Sequence, residues 1–391
     1  MEALFHASPF TGYVYPNETI IPWTVMIVIY PYMTGLVAGA FSVSSMYHVF
    51  GMEKFKPVAR FALLTALCFM IFVPVTLLLH LGHPERAFNS MITPHLTSAF
   101  AAFGYFAAFY VLLLLLEVWF AFREDNVARA QSSTGLRRTF YRALTLWSDD
   151  VSPKALSYDA KWVFSLAIIG IPSAHGLHGY VGFVFGSLKS REWWGSDMMP
   201  VVFLFSAIIS GIAVLIVLYT LVSKIRKTPI DEGCVRGMAG ALWGFLMFTL
   251  LLEGLEFANL VYKAKEGIEI IMEYVRGPLF YRYFVFQFGF GAILPIIILG
   301  LMFARAVKGK AFLVGAVICA LLVLMNVFLM RWNVVIGGQE IAKTMRGLLE
   351  YHDPGGREGI AAALAVLAGP LVLLFILSRF LPPWKEMTEN T

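Results

Sequence analysis

An all-α integral membrane protein is the fold class predicted by the sequence, and three observations predict it. Only 14% of the 391 residues are charged and 59% are hydrophobic, where a soluble globular protein carries about 25% charged residues. The mean hydropathy is +0.74. Stretches free of Asp, Glu, Lys and Arg recur at lengths near or above the roughly twenty residues that cross a bilayer as a helix. None alternates in polarity over about ten residues, as a barrel strand does. This composition excludes a soluble enzyme, a disordered chain and a small disulfide scaffold. Cys68, Cys234 and Cys319 stand singly, with no C-x-x-C or C-x-x-C-H pattern, so the chain itself is expected to hold no iron–sulfur cluster and no covalently attached haem. The net charge of +5 does not read as a nucleic-acid footprint, because the basic residues gather in loops between apolar runs.

Bounding those runs by their flanking charges predicts nine transmembrane helices, over 19–52, 61–84, 87–116, 162–188, 198–223, 237–262, 283–304, 311–330 and 359–378. A tenth is possible only if 338–352 or 135–147 inserts against its own charge. With the N-terminus outside, nineteen Lys and Arg fall on the inner side and eleven on the outer. The positive-inside bias therefore predicts N-out, C-in in a cytoplasmic membrane. The first twenty residues carry Glu2 and Glu18 and no Lys or Arg, so the first span reads as a retained helix and not a cleaved signal. Between spans, 123–160 is a polar inner loop with an amphipathic helix around Gly135–Trp147. The outer segments 263–282 and 335–358 show helical patterning in Ile268–Tyr274 and Ile341–Tyr351; they serve as connectors or as a docking surface for an extrinsic subunit.

An ionisable group inside hydrocarbon costs roughly 2.5–3.5 kcal/mol on insertion scales, which makes each one a functional candidate. Span four carries His175 and His178, three apart on one face, with Gly176 and Gly179 beside them and Pro172 a turn earlier. They read as hydrogen-bond partners of a quinone, as haem ligands, or as structural histidines. Two histidines at this spacing on one helix cannot bind the same iron, so haem b would need His80 or His48 from another span. Span two ends in a polar turn holding His80, His83, Glu85 and Arg86. Span six carries Glu253 and Glu256 on one face, either as a proton relay or as interfacial groups beyond an early helix end. Glu117 reads as snorkelling at the inner end of span three, with His48 near it as a possible inner proton entry. Arg331 reads as an interfacial anchor or as the counter-charge of Glu253 or Glu256.

Three features together resemble the polysulfide reductase membrane-subunit (NrfD/PsrC) family. Trp23 is followed by Tyr30-Pro-Tyr-Met-Thr-Gly35-Leu-Val-Ala-Gly39-Ala-Phe, Leu81-Gly82-His83-Pro84-Glu85-Arg86-Ala-Phe follows span two, and the fourth span is rich in histidine. Length, histidines and the added ninth span resemble the DsrP/HmcC subgroup of sulfur-metabolism transmembrane redox complexes. The resemblance implies two four-helix bundles plus an extra C-terminal helix: residues 1–190 with a quinone pocket, 191–337, then 338–391. It also implies a membrane subunit exchanging electrons between menaquinone or another quinone and an extrinsic four-cluster, ferredoxin-like iron–sulfur subunit on the outer face, with multihaem cytochrome c and further membrane subunits as partners.

The quinone-pocket candidates are Tyr30, His80, Arg86, His175 and His178, in the outer half between spans one, two and four. Tyr30 matches the family's pocket position on span one, His175 stands one turn past the matching position on span four, and counting residues from the span ends puts the two at one depth. Glu253 and Glu256 are the proton-relay candidates. No metal ligands are expected. The competing classes are a cytochrome b, a non-redox ion carrier and a membrane anchor.

Overall fold

The computed structural model describes residues 18, 20–95, 97–188, 190–264 and 267–384. Glu2, Lys189, Lys265 and Lys385, which enter the charge readings above, lie outside the described residues. Among the described residues the chain is helical apart from turns and one isolated antiparallel bridge between Ile341 and Leu348.

Helix α1 (Val25–His48) starts where the Thr24 side chain accepts a hydrogen bond from the Met26 N–H. Its 24 residues span about 36 Å, enough for a hydrocarbon core of about 30 Å. It is followed by α2 (Lys56–His80), α3 (Phe103–Ser132), α4 (Gly135–Leu144), α5 (Pro153–Gly186), α6 (Met199–Arg226), α7 (Glu232–Lys263), α8 (Ile268–Arg276), α9 (Tyr281–Ala304), α10 (Gly309–Val335) and α11 (Ile360–Phe380). Eight of these, α1, α2, α3, α6, α7, α9, α10 and α11, are long and apolar enough to cross a membrane. The expected span 162–188 lies largely within α5, whose 34 residues pack along α3 and α6; its histidines and glycines make it less apolar than its neighbours. Neither candidate for a tenth span crosses: α4 has 10 residues, and 338–352 folds into a turn. The chain is a multi-pass membrane protein.

Successive long helices alternate in direction. One end of the bundle, here the Trp23 end, gathers the start of α1 and the ends of α2, α5, α7 and α10; the other is the His48 end. Helix α1 is the hub, packed against α2, α5, α6, α10 and α11, so a single apolar core runs through both halves of the chain. Its contact with α6 is made backbone to backbone. A Cβ on Gly39 would stand 2.7 Å from the Gly211 Cα, the close approach that small residues permit between membrane helices. At the Trp23 end the Trp23 and Trp194 rings stack at 5.1 Å, and the Gln339 side chain accepts a hydrogen bond from the Trp23 N–H at 3.0 Å.

Three expectations are corrected. The third span does not begin at 87: the described residues between 87 and 102 form turns and one short helical turn, Asn89–Ile92, with Phe88 and Ile92 exposed, because Asn89, Pro94 and Ser98 break a run that merely lacks charge. The pattern in Ile341–Tyr351 is not a helix. Ile341 and Leu348 face each other across a turn in which Met345 has a positive φ of 54°, and the Leu349 N–H donates to the Glu340 carbonyl. Glu117 does not snorkel: it is fully buried, on the face of α3 turned to the bundle. The other two expected short helices form, as α4 and α8.

Candidate functional site

Three departures from regular helix shape the polar interior. Pro31 lies within α1 and Pro172 within α5, each removing a backbone donor. The first 13 residues of α9, Tyr281–Ile293, form a π-helix, a wide coil frequently found at functional sites. The polar side chains of α1, α5, α9 and α10 converge on these segments.

His175 hangs from α5 with its ring held at both nitrogens. Nδ1 lies 2.8 Å from the Ile171 carbonyl and Nε2 3.1 Å from the Ser42 hydroxyl of α1. A carbonyl only accepts, so Nδ1 carries a hydrogen. The Ser42 hydroxyl also reaches the Ala38 carbonyl at 2.8 Å. It donates to Nε2 when that nitrogen is bare and turns to Ala38 when Nε2 is protonated, so the imidazole can take or give a proton without moving. His175 and Ser42 line a cavity of about 640 Å³ between α1, α5, α6 and α7, within the range of small-molecule sites. Its walls include Met46, Ile212 and Phe245, and Lys54 and Arg236 lie at its His48 end.

One turn along α5, His178 is almost completely buried and faces Thr34 and Arg331. Arg331 Nη2 donates to His178 Nε2 at 3.0 Å and to Ser206 Oγ at 2.6 Å, and the guanidinium lies 3.8 Å over the Phe203 ring. Nε2 therefore accepts, and Nδ1 gives its hydrogen to Thr34 Oγ1 at 3.1 Å. Thr34 in turn donates to the carbonyls of Tyr30 and Pro31 at 3.3 and 3.2 Å. The glycine that admits this ring is Gly35: its Cβ would stand 3.4 Å from His178 Cε1, whereas one on Gly176 would meet nothing within 4 Å.

Beyond Arg331 the polar line continues in α7, α9 and α10. Asn333 donates to the Gln287 carbonyl oxygen and the Gln287 amide to Glu253, both at 2.8 Å. Helix α7 runs on to Lys263, so Glu253 and Glu256 are not at an early helix end. Both line a cavity of about 110 Å³ at the Trp23 end, beside Glu192, Ser196 and Tyr283. Arg331 is buried and is no interfacial anchor; it hydrogen-bonds His178 and Ser206 and makes no direct ion pair with either glutamate, while its charge and that of Glu253 still interact across the core.

The structure does not bring the other pocket candidates to His175. Tyr30 is buried against Phe103, ring centroids 5.4 Å apart, and stands twelve residues, about 18 Å, before Ser42 along α1. His80 Nδ1 lies 2.9 Å from Glu358, tying α2 to the approach of α11. Arg86 is a surface residue beside Glu85. The cavity that His175 lines reaches toward the His48 end, away from Tyr30, His80 and Arg86. Sequence reasoning missed Ser42, Thr34 and Ser206, because a hydroxyl in an apolar helix usually bonds its own backbone; the run Ser42-Val-Ser-Ser45 was the available signal. Among the described residues no three His, Cys, Asp or Glu side chains gather as a metal site.

At the Trp23 surface, Glu18 ties the approach of α1 to two distant segments. It accepts from Arg191 Nη2 at 2.8 Å and from the Lys343 backbone N–H at 3.0 Å, with Lys343 Nζ also 3.0 Å away. Burial works to raise its pKa, but the Lys343 hydrogen bonds and the Arg191 and Lys343 charges outweigh it and hold the carboxyl below its ordinary value.

Compared with known proteins, residues 15–342 match the family described as polysulphide reductase, NrfD. The chain is 32% identical over 382 residues to a selenate reductase subunit of Mesobacillus selenatarsenatis, covering 94% of this chain and 87% of that protein. It is 24% identical over 283 residues to the Hdr-like menaquinol oxidoreductase integral membrane subunit of Archaeoglobus fulgidus, covering 71% and 62%.

Proposed function

The chain belongs to the polysulphide reductase NrfD family, and on that premise we propose that it is the quinone-reactive membrane subunit of a multisubunit oxidoreductase. The observation that carries this reading is His175, poised by Ile171 and Ser42 at the wall of an apolar cavity of about 640 Å³. Oxidising a quinol releases two electrons and two protons. The apolar walls accept a ring and an isoprenoid tail, and His175 Nε2 supplies a hydrogen-bond partner that can bind a proton, imidazole being the side chain best suited to do so near neutral pH. The name of the Archaeoglobus relative favours menaquinol.

The electrons leave to partner subunits, among them an extrinsic iron–sulfur protein seated at the Trp23 end, which the charge bias makes the outer face of the cytoplasmic membrane. Two relatives bear the names of single subunits of larger reductase and oxidoreductase assemblies, which supports such partners. Protons pass between this region and the Trp23 end through Glu253 and Glu256. The haem reading has less support, since both nitrogens of His178 are taken by protein groups.

Replacing His175 by Leu tests the assignment in the assembled complex. Quinol-dependent reduction of the partner should fall by about a hundredfold or more, the scale of a lost acid–base group, while the subunits still co-purify. Unchanged turnover would reject it.

A further inference from the structure

Glu117, midway along α3, is fully buried, and among the described residues neither of its carboxyl oxygens has a hydrogen-bond partner. The cations nearest in the fold are engaged elsewhere: Arg60 pairs with Asp125, and Arg123 pairs with Asp159 at 2.6 Å. Further buried polar atoms in this region of the bundle also stand without a partner among the described residues: the Tyr110 hydroxyl, two turns from Glu117 on the same face of α3, Asn126 Oδ1 farther along that helix, Arg60 Nε on α2, and Ser44 Oγ and His48 Nε2, one turn apart on α1.

A cavity of about 670 Å³ opens at the His48 end between α1, α2, α3 and α5. The charged and titratable groups facing it are Tyr47, His48, Glu53, Lys56, Arg60, Glu124 and Asp159. On α3 its wall is made by Phe120, Ala121 and Glu124. These stand three, four and seven residues after Glu117, so the cavity ends one helical turn short of the buried carboxyl.

A carboxyl group in hydrocarbon with no donor and no cation on either oxygen is tolerated only in its neutral form. The cavity brings water to within about one helical turn of it from the His48 end. We infer that Glu117 is a proton-binding site that exchanges with the aqueous phase at the His48 end, separate from the Glu253 and Glu256 pair at the opposite end. Ser44 and His48 supply the hydroxyl and imidazole groups through which a proton or a water molecule reaches it, and Tyr110 lies on its far side, toward the Trp23 end. The inference stands on the burial of Glu117 and the cavity beneath it, and does not depend on where quinone binds.

Infrared difference spectroscopy of the intact complex, exchanged between H2O and D2O, reads this site without turnover. The parent should show the C=O stretch of a buried carboxylic acid that shifts on exchange. E117Q should lose that band, and E117D, the variant to use should E117Q fail to assemble, should move it. A121L, which fills the wall between cavity and carboxyl, should keep the band and slow its exchange several-fold. A spectrum that E117Q or E117D leaves unchanged would show that Glu117 is not the acid. A band that never exchanges, or that exchanges at the parent rate in A121L, would overturn the route.

Discussion

Arg331 Nη2 and His178 Nε2 meet at 3.0 Å inside the apolar core, each contributed by a different half of the chain. The guanidinium is fully buried, it pairs with no carboxylate among the described residues, and its Nε is without a partner there. The pair joins α5 to α10 and fixes the imidazole as an acceptor toward Arg331 and a donor toward Thr34. His178→Leu should therefore destabilise the protein by about 1–3 kcal/mol, the cost of leaving a buried donor unmet. Arg331→Met should also cost stability, and the double variant should lose less than the sum by about 0.5–3 kcal/mol. Unfolding of the four proteins in detergent measures the coupling; additive losses would show that the contact carries no shared energy.

Ser42 decides whether His175 can change protonation in place. Ser42→Ala removes the hydroxyl that alternates between Nε2 and the Ala38 carbonyl while leaving the ring held by Ile171. Turnover with quinol should fall about tenfold, less than the hundredfold or more expected for a lost acid–base group, and its pH profile should shift. A variant that slows turnover but keeps the parental pH profile would leave Ser42 with a packing role alone.

The spans were legible in the sequence because hydropathy reports the solvent directly, and so were His175, His178, Glu253 and Glu256, because charge or imidazole in hydrocarbon needs a reason. Depth was not legible. Counting from the span ends put Tyr30 level with His175, but α1 begins at Val25, after the apolar Ile20–Pro22, and the histidine one turn from Tyr30 is His178, through Thr34. Nor does any local pattern announce the π-helix at Tyr281–Ile293. Its phenylalanines and glycines fit an ordinary span, and the close approach it makes to α10, where a Cβ on Gly291 would stand 2.6 Å from the Asn326 Cβ, is a tertiary contact that no local pattern carries.

Glu253 is where the proton-relay reading meets the polar chain, since its carboxylate accepts from Gln287, which accepts from Asn333. Glu253→Gln keeps the shape and most of the hydrogen bonding but cannot titrate. It should slow turnover or reduce the protons moved per quinol without changing quinone affinity. Turnover and proton stoichiometry equal to the parent would remove Glu253 from the route.

Glu18 gives the Trp23 surface a pH dependence whose sign follows from its environment. Its pKa is lower folded than the ordinary 4.5, so the folded state binds fewer protons than the unfolded state across that interval. Its contribution is complete above the ordinary value and is lost as the pH falls through the folded value. The clasp between the approach to α1, Arg191 and Lys343 should thus loosen below about pH 4.5 and not above it. Thermal unfolding of the parent and Glu18→Gln, followed from neutral pH downward, checks this: the two curves should converge in acid. A gap between them that persists at low pH would mean that Glu18 acts by shape alone.

The glycine contact between α1 and α6 sets the geometry on which every other site rests. Gly39 and Gly211 face each other with no space for a Cβ, and the atoms that such a Cβ would strike are backbone, which cannot rotate aside. Gly39→Ala must therefore push the two helices apart, at a cost of about 1–3 kcal/mol for overpacking, and it must move Ser42, one turn on, relative to His175. Gly176→Ala is the matched control, because a methyl group there meets nothing within 4 Å and alanine favours the helix by about 1 kcal/mol. The first variant should lower the unfolding midpoint and quinol turnover together, and the second should hold or raise the midpoint with turnover intact. Equal stability in the two proteins would mean that α1 and α6 do not cross at Gly39 and Gly211.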